Sequence, residues 1–560
     1  MLTCINYYVV KRLLLFSAFP LAYTLLCNSC GDGANTDSDK QVFRYNEIAN
    51  ITSLDPAAAN NLENIWAVNQ LYNGLVQLDD SLNILPCLAH SWDVSDSGRR
   101  YTFHIRSDVF FHDHELFPDG KGRKMVAGDF ERTFRRLYLH KSDQSAKFIF
   151  AKLKVNAKLE EFGCDAPDDS TFILFLNKPF PPLLGILTMQ FFSVVPVEIA
   201  DHYDEQFRVH PVGTGPFRLK VWEEDVKLVM VKNENYFEFD NSRRLPFLDA
   251  VSVSFVRDKE SMMIEFFAGR LDMISGADAI NMKKVFSDDG ALLPELRDSF
   301  QLQKSRFLKT DYMGFLVDKE LEVTKGNPLL DKRVRQAMNY AIDRDKIIRD
   351  LRQNIGYPAS SGFVPVGMPS YSDQVVRGYS YDPEKAKKLL KQAGYAGGMP
   401  EIIMQVTPNY QLMSELMAAQ LEEVGFEIKI NVNQPIVLRE EVESSRFLFF
   451  RKTWVADYAD AESFLSIFYS PNFSPNGSNY FHFRSAEFDR LYEEAMTMND
   501  PEERYVLYRR MDKIIMEEAV VIPLYYDEVV RLVGKDVHNL TPNGMNLLNL
   551  KKVSMKRSHS

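Results

Sequence analysis

The sequence is poor in cysteine, and this scarcity limits the disulfides and metal sites that it can form. Its 560 residues contain five cysteines, and Cys4, Cys27 and Cys30 all fall near the N-terminus. The other two, Cys87 and Cys164, are compatible with a disulfide in an oxidising compartment and at least as compatible with two buried free thiols. The one Cys-x-x-Cys, from Cys27 to Cys30, has no partner pair, so a structural zinc site is not expected.

The sequence also lacks the short motifs of common enzyme classes and the positive charge of nucleic-acid binders. It has no Gly-x-Ser-x-Gly, no His-Glu-x-x-His, no Walker loop and no Gly-x-Gly-x-x-Gly. We therefore predict that the chain is not an enzyme and has no cofactor. The net charge of -11 argues against nucleic acid or an anionic membrane surface as the main partner, because both attract basic proteins.

Long apolar runs are absent except at the N-terminus. Lys11 and Arg12 precede an apolar run from Leu13 to Leu26, which ends in Cys27-Asn28-Ser29-Cys30. This arrangement resembles a bacterial lipoprotein signal with residues 1–29 as the signal peptide, Cys30 as the lipidated residue and residues 30–40 as a linker. Cys27 stands where such signals usually have an aliphatic residue, and an uncleaved anchor is the alternative. We expect the rest of the chain to be soluble and outside the cytoplasm.

Beyond residue 40, the hydrophobic pattern alternates between the periods of strands and helices, which predicts α/β architecture in two or three domains. Alternation at Tyr101, Phe103 and Ile105 predicts a strand, and the sequence after Ala127 predicts an amphipathic helix. Further helices are predicted over 64–78, after Asp331, from Pro383 and over 413–424, with strands from 41, 217 and 426.

The segment Arg451 to Leu465, RKTWVADYADAESFL, places the carboxylate of Asp457 directly after an apolar run. A carboxylate removed from water is costly unless a cation meets it. Two interpretations follow: an internal Arg or Lys pairs with Asp457, or the cation is the ammonium group of a ligand. Most buried acids are paired internally, so the isolated segment favours the first interpretation.

The order of motifs along the chain resembles the extracytoplasmic solute-binding proteins, family 5, which supply oligopeptides, dipeptides and nickel to ABC importers. In the N-terminal half, the motifs are LDP, LYNGLV, ILPCLAHSWDVSDSG, YTFHIRSDVFFHDH, AGDFERTF, LNKPFPPLLGIL and VGTGPFRLKVWEEDVKLVMVKNENYF. In the C-terminal half, they are DYMGFLVDK, LLDKRVRQAMNYAIDRDKII, YDPEKAKKLLKQAGY, EEVGFEIKI and EEAVVIPLYYDEVVRLV. Each motif is weak alone, but the ordered series covers nearly the whole mature chain.

This resemblance implies an α/β, two-lobed periplasmic-binding-protein fold of the class II type, with an appended domain and a hinge between the lobes. Residues 41–71, 195–304 and 523–560 would form lobe I, 72–194 the appended domain and 305–522 lobe II. The hinge crossings would fall near Phe307 and Ile522. His112-Asp113-His114-Glu115 would be a surface loop rather than a metal site, because the family has a structural turn at this position.

The resemblance also implies a ligand site. Trp454-Val455-Ala456-Asp457-Tyr458 matches the family pattern in which an Asp binds the α-ammonium of a peptide. Arg451 would lie near the carboxylate of the ligand, or it would be an exposed charge beside Lys452.

The remaining candidate residues surround this motif or come from the N-terminal part of the chain. Asn60, Asn61 and Leu62 would form an extended stretch that pairs with the peptide backbone. Thr453 stands where some relatives have Gly, and Trp454 and Tyr458 would support the Asp457 loop rather than contact the ligand directly.

The predicted function is therefore that of the substrate-binding component of an ABC importer, which captures short peptides between its lobes. It would act as a periplasmic, lipid-anchored monomer and deliver peptides to a permease whose ATPase lies in other chains. Alternatives are a non-peptide or modified ligand, such as a peptidoglycan stem peptide, a nickel chelate, a sugar or haem, and an envelope chaperone or adhesin.

Overall fold

The computed structural model describes residues 40–139, 147–155, 162–276 and 282–556. The predicted signal peptide and the predicted lipidation at Cys30 lie outside the described residues. The chain from Gln41 onward forms one compact unit. Within the described ranges, no helix is both long enough and apolar enough to cross a membrane.

Strands and helices alternate along the described chain. Its strands are β1 (Val42–Asn46), β2 (Val76–Leu78), β3 (Ile84–Pro86), β4 (Ala89–Ser95), β5 (Arg100–Ile105), β6 (Cys164–Asp168), β7 (Thr171–Phe175), β8 (Phe217–Glu223), β9 (Lys227–Lys232), β10 (Phe239–Asp240), β11 (Arg243–Arg244), β12 (Ala250–Ser254), β13 (Met273–Ser275), β14 (Phe300–Phe315), β15 (Tyr357–Pro358), β16 (Glu401–Val406), β17 (Glu427–Val432), β18 (Phe449–Val455), β19 (Val521–Gly534), β20 (Val537–His538) and β21 (Ser554–Met555). Its α-helices are α1 (Leu62–Leu71), α2 (Ala127–Leu139), α3 (Leu183–Ile186), α4 (Val197–Tyr203), α5 (Lys259–Phe267), α6 (Met282–Val285), α7 (Lys332–Ala341), α8 (Arg344–Lys346), α9 (Pro383–Gln392), α10 (Gln411–Glu423), α11 (Pro435–Glu443), α12 (Glu462–Leu465), α13 (Ala486–Ala495) and α14 (Pro501–Glu518).

One large mixed sheet runs through the protein. Its strand order is β17-β16-β18-β14-β19-β13-β1-β12-β9-β8, and β15 pairs with β19 beside this path. β1 is parallel to β12 and β13, and β16 is parallel to β17 and β18, while β14 is antiparallel to β18 and β19. Parallel strands with helical crossovers are typical of α/β proteins, and the predicted α/β class is confirmed.

The longest strand pair, β14 with β19, connects the two ends of this sheet. Its register runs from Phe300 opposite Gly534 to Gly314 opposite Val521, and it shifts between Arg306 and Thr310. A bulge of this kind bends a strand and interrupts its hydrogen bonds locally. The predicted hinge crossing near Phe307 falls inside the irregularity, while the proposed domain boundaries stay predictions.

A separate four-stranded antiparallel sheet, β4-β5-β7-β6, lies inside the predicted appended domain. α2 covers it, because the Phe130 and Phe134 rings of that helix lie 5.6 and 5.5 Å from the ring of Phe172 on β7. All three rings are fully buried. The apolar face that was predicted for the helix after Ala127 therefore forms the core of this region.

The predicted helix starts after Asp331 and at Pro383 are both confirmed. The Asp331 carboxylate accepts a hydrogen bond from the backbone N–H of Arg333 at the start of α7, and Asp382 caps α9 in the same way. A side-chain oxygen at this position satisfies an N–H group that has no partner within the helix. Gly394, two residues beyond the end of α9, has a φ of 97°, a conformation that favours glycine.

The predicted helix over 64–78 is wrong at its C-terminal end, because α1 ends at Leu71 and β2 begins at Val76. The chain at Gly213 packs against this helix end. A Cβ atom on Gly213 would lie 2.1 Å from the Leu71 carbonyl oxygen, and one on Gly215 would lie 2.3 Å from the Leu71 carbonyl carbon. Glycine is needed in the predicted turn over 213–216 because of this close approach.

Cys87 and Cys164 are free and buried. The disulfide alternative is therefore wrong, and the alternative of two buried thiols is confirmed. Burial raises the pKa of each thiol to about 12, so both stay protonated at neutral pH.

Candidate ligand-binding site

Asp457 lies just beyond the end of β18, on a loop that leads into α12. β18 lies between β14 and β16 in the large sheet, with Thr453 opposite Asp311 and Val455 opposite Lys309. The backbone N–H of Asp457 donates to Ser463 Oγ at 3.1 Å, which ties the loop to α12. A central strand and a helix therefore fix the position of the carboxylate from both sides.

The Asp457 side chain opens into a cavity of about 490 Å³, which we call the ligand cavity. It is lined by Asn60, Leu62, Ile65, Asn69, Leu78, Phe148, Thr188, Met189, Gln190, Phe191, Phe307, Val455, Ala456, Asp457, Met545 and Leu547. Among the described residues of this lining, Asp457 is the only charged one, and most of the other side chains are apolar. Its size and its concave, apolar lining are those of a site for a small molecule.

The environment of Asp457 disfavours its negative charge. The side chain is exposed to the cavity, but the surrounding protein displaces bulk water. This desolvation, reinforced by the nearby carboxylate of Glu462, raises the pKa of Asp457 to about 6, while a hydrogen bond with Ser463 opposes the change. The charged form is therefore poorly stabilised in the empty protein.

No lysine or arginine of the described ranges forms an ion pair with Asp457. Two arginines are paired with other carboxylates: Arg504 with Asp460 at 3.2 Å, and Arg451 with Asp311. The internal ion pair that was one interpretation of this segment is therefore not found in the part of the chain that the structure describes.

The Asp457 loop rests on a buried carboxylate. Glu462 is 4% exposed and accepts hydrogen bonds from the hydroxyl groups of Tyr458 and Tyr492. Tyr458 is itself buried, so it supports the loop from beneath, and Trp454 is half-buried on β18. Among the described residues, neither Trp454, Tyr458 nor Thr453 lines the ligand cavity.

The Asn60–Leu62 segment reaches the ligand cavity, but its conformation differs from the prediction. Asn60 and Leu62 both line the cavity. Asn61 is extended, with φ -123° and ψ 161°, and its side chain accepts from the Asn64 N–H at 2.9 Å as the N-cap of α1. Leu62 is the first helical residue, so the prediction of an extended stretch through Leu62 is wrong at that residue. A helix N-cap ends it.

Arg451 is buried rather than exposed, so the alternative of a surface charge beside Lys452 is wrong. Its side chain forms a two-pronged ion pair with Asp311, with Nε donating to Oδ1 at 3.0 Å. Tyr525 also donates to Asp311 at 2.8 Å, and the Tyr410 ring lies 3.2 Å from the Arg451 guanidinium carbon. The contact of Arg451 with a ligand carboxylate stays a prediction.

A second cavity of about 510 Å³, which we call the hinge cavity, lies beside the strand irregularity. Phe307 lines both cavities. In the hinge cavity, the Asp527 carboxylate forms ion pairs with Lys309 at 2.7 Å and with Arg352 at 2.5 Å. These three residues could not be predicted from the sequence, because Lys309 lies on β14, Asp527 on β19 and Arg352 directly after the π-helix Ile347–Leu351, and no local pattern connects them.

The two histidines of the segment 112–115 have separate hydrogen-bond partners. His112 is buried, with Nε2 donating to the Gly215 carbonyl at 3.0 Å and Nδ1 accepting from the Gly213 N–H at 3.4 Å. Nδ1 of His114 instead accepts from the Leu116 N–H. Within the described residues, no group of three or more His, Cys, Asp or Glu side chains is arranged to hold a metal ion.

Comparisons with known proteins agree over most of the chain. Residues 83–476 match the family model described as bacterial extracellular solute-binding proteins, family 5. Heme-binding protein A of Haemophilus influenzae is 31% identical over 472 residues, which are 81% of this chain and 81% of that protein. The dipeptide-binding protein of Escherichia coli is 27% identical over 504 residues, or 87% of this chain and 89% of that protein.

A solved structure gives the same result at the level of the fold. The ABC transporter-associated periplasmic binding protein of Helicobacter pylori, in complex with the peptide STSA, superposes with a TM-score of 0.74 at 25% identity. The match covers 92% of this chain and 98% of the other. The predicted periplasmic-binding-protein fold is confirmed.

Proposed function

The chain belongs to family 5 of the bacterial extracellular solute-binding proteins, and from this membership we propose that it captures short peptides for an ABC importer. The observation that carries the proposal is the Asp457 carboxylate, which faces the ligand cavity without a lysine or arginine partner in the described ranges. A peptide α-ammonium supplies the missing cation. Charge-assisted hydrogen bonds of this kind are short, directional and strong.

This contact would fix where a peptide begins without selecting its sequence. Every unmodified peptide has an α-ammonium, and polar backbone groups near Asn60 and Val455 border the same cavity. Extended peptides commonly bind proteins through such main-chain hydrogen bonds. Arg451 and the cations of the hinge cavity would then lie on the side where the ligand carboxylate extends.

The relatives support a peptide as the ligand class. They include the dipeptide-binding protein of Escherichia coli and a periplasmic binding protein of Helicobacter pylori in complex with a peptide. We propose that the mature chain works in the periplasm as a monomer, anchored to the membrane through a lipid on Cys30. Closure of its lobes around the peptide would present it to a permease, with the ATPase in other chains.

Calorimetric titration tests the Asp457 assignment. The chain without its first 30 residues is titrated with Ala-Ala-Ala and with the N-acetylated form of that peptide, which has no ammonium group. We expect binding of the first and a loss of at least roughly 100-fold for the second, because a buried charge pair loses one partner. Asp457→Asn should lose affinity for Ala-Ala-Ala by a similar factor.

A matched variant controls for the general effect of removing one negative charge from the protein. Asp536→Asn changes an exposed aspartate between β19 and β20, and its affinity should equal that of the unchanged protein. Equal binding of the free and acetylated peptides would refute the role of Asp457. Absence of binding to either peptide would refute the peptide proposal.

Heme is the second candidate, because one relative is named a heme-binding protein and the ligand cavity is largely apolar. Heme iron is held by His, Cys, Met or Tyr side chains. Among the described residues that line the ligand cavity, only Met189 and Met545 belong to these types. A titration with hemin, followed by absorbance, tests this candidate. Saturable binding of hemin that Ala-Ala-Ala displaces would favour heme as the ligand of this cavity.

A further inference from the structure

A narrow pocket of about 110 Å³, which we call the side pocket, adjoins the ligand cavity beside α1. Asn69, Leu78, Thr188, Gln190 and Leu547 line both spaces. Because a water molecule occupies about 30 Å³ of liquid, the side pocket has room for one amino-acid side chain but not for a peptide. It is therefore suited to a branch of a ligand whose main body lies in the ligand cavity.

Thr188, which borders the side pocket, lines the same ligand cavity as Asp457. Thr188 donates its hydroxyl to the Gly185 carbonyl at 2.6 Å. A Cβ atom on Gly185 would lie 3.6 Å from Cδ2 of Tyr458, the residue that follows Asp457. A ligand residue whose ammonium group contacts Asp457 can thus direct its own side chain past Thr188.

The side pocket offers hydrogen-bond acceptors from two buried amides. Gln70 is 2% exposed, and its Nε2 donates to the carbonyls of Trp66 and Leu548. Gln190 is 8% exposed, and its Nε2 donates to the Ala59 carbonyl at 2.5 Å. Since only an N–H group can face those carbonyls, the orientation of both amides is determined. Among the described residues, no donor reaches either Oε1 atom.

The charges of the side pocket favour the same kind of ligand group. Asp79 and Asp80 line it, and neither forms an ion pair within the described ranges. Lys551, a lining cation, is already paired with Glu238 at 2.5 Å and donates to Gln77 at 2.6 Å. Among the described residues that line the side pocket, no cation is unpaired, which disfavours an anionic group.

We infer that the side pocket binds the side chain of the first peptide residue and selects groups that donate hydrogen bonds over acidic and apolar groups. An amide, hydroxyl or ammonium group would donate to Gln70 and Gln190. A carboxylate could not donate to these two oxygens, and an aliphatic group would cover them without giving either a partner. This inference rests on the proposed function, because it places the ligand ammonium on Asp457.

The selection is tested with three tripeptides whose first side chains are similar in size: Asn-Ala-Ala, Asp-Ala-Ala and Leu-Ala-Ala. Each peptide is titrated at pH 7.5 into the chain without its first 30 residues. We expect Asn-Ala-Ala to bind about tenfold more tightly than the other two, which is about 1.4 kcal/mol. Asn69→Leu at the entrance and Gln190→Met inside should reduce the ratio towards one. Asn409→Leu, which makes the same change in the hinge cavity, should leave it unchanged.

The outcomes separate this inference from the proposed function. Equal affinities for the three peptides, or a preference for Leu-Ala-Ala, would overturn the selection while the peptide proposal stands. If none of them and no Ala-Ala-Ala binds, the proposed function fails and the inference fails with it. Thermal unfolding checks that each variant is folded, and the comparison of peptides on the unchanged protein needs no variant.

Discussion

Asp457 is held in an environment that makes its own charge costly. The walls of the ligand cavity displace bulk water, and Glu462 places a second acidic group beneath the same loop. The Glu462 carboxylate is held in place by hydrogen bonds from the hydroxyl groups of Tyr458 and Tyr492. A carboxylate in such a position gains more from an arriving cation than one already solvated in water.

The pH dependence of peptide binding follows from the raised pKa of Asp457. Burial and Glu462 raise this pKa to about 6, and only the charged carboxylate attracts an ammonium group. As pH falls through 6, protonation of Asp457 competes with the ligand. We therefore expect affinity for Ala-Ala-Ala to be about tenfold weaker at pH 5 than at pH 7.5. Titration calorimetry from pH 5 to 7.5 measures this, and a constant affinity over the range would contradict it.

The same raised pKa predicts that Asp457 destabilises the empty protein at neutral pH. A pKa that is higher in the folded than in the unfolded chain means that the charged form disfavours folding above about pH 6. Asp457→Asn should therefore raise the melting temperature at pH 7.5, by about 1 °C for a chain of this length. The difference should shrink as pH falls from 6 towards 4 and disappear below about pH 3, where Asp457 is protonated in both the folded and the unfolded chain. A lower melting temperature of the variant at pH 7.5 would contradict this explanation.

At the scale of elements, the ion pair between Arg451 of β18 and Asp311 of β14 connects two neighbouring strands of the large sheet. Both side chains are buried. Removing one partner of such a pair leaves an uncompensated charge, at a cost of about 3 kcal/mol. Arg451→Met should therefore lower the melting temperature by about 3 °C, since about 1 kcal/mol corresponds to about 1 °C in a chain of this length. Calorimetric unfolding measures it.

A double variant provides the control for this ion pair. Arg451→Met together with Asp311→Leu removes both charges, so much of the lost stability should return. If Arg451→Met unfolds like the unchanged protein but loses affinity for Ala-Ala-Ala, the guanidinium serves the ligand rather than the sheet.

Individual elements could be predicted from the sequence where a local signal marks them. Asp331 and Asp382 are recognisable helix caps, and the period of apolar residues correctly locates α2, α7, α9 and α10. The end of α1 could not be predicted, because it is set by contact with Gly213, far along the chain. A helical pattern continued past Leu71, but the packing of a distant turn ended the helix there.

The candidate site could be predicted only in part, for a related reason. Asp457 belongs to a contiguous motif, so its position was predicted from the sequence. The Asp311 partner of Arg451 is 140 residues away, and Lys309 and Asp527 are separated by 218 positions. Partners that a sheet brings together from such distances leave no spacing in the sequence that a pattern can reveal.

At the scale of the whole molecule, β14 and β19 pass through the centre of the large sheet, and the irregularity at Phe307 lies beside both cavities. At this point Asp527 of β19 holds Lys309 of β14 and Arg352. These ion pairs are largely shielded from water and hold the two strands together, whereas the interrupted register between Arg306 and Thr310 is where the strand pair can bend. The two strands thus provide a place where the chain can bend, while the parts of the large sheet on either side of it keep their strand pairing.

Bending at this point predicts that the molecule becomes more compact when a peptide binds. A compact chain without its first 30 residues has an expected radius of gyration of about 24 Å. Small-angle X-ray scattering should show this radius decreasing on addition of saturating Ala-Ala-Ala, because a ligand held by Asp457 contacts both sides of the ligand cavity. Asp457→Asn at the same peptide concentration is the control and should show no decrease. An unchanged radius in the unmodified protein, with binding verified by calorimetry, would mean that capture does not involve closure.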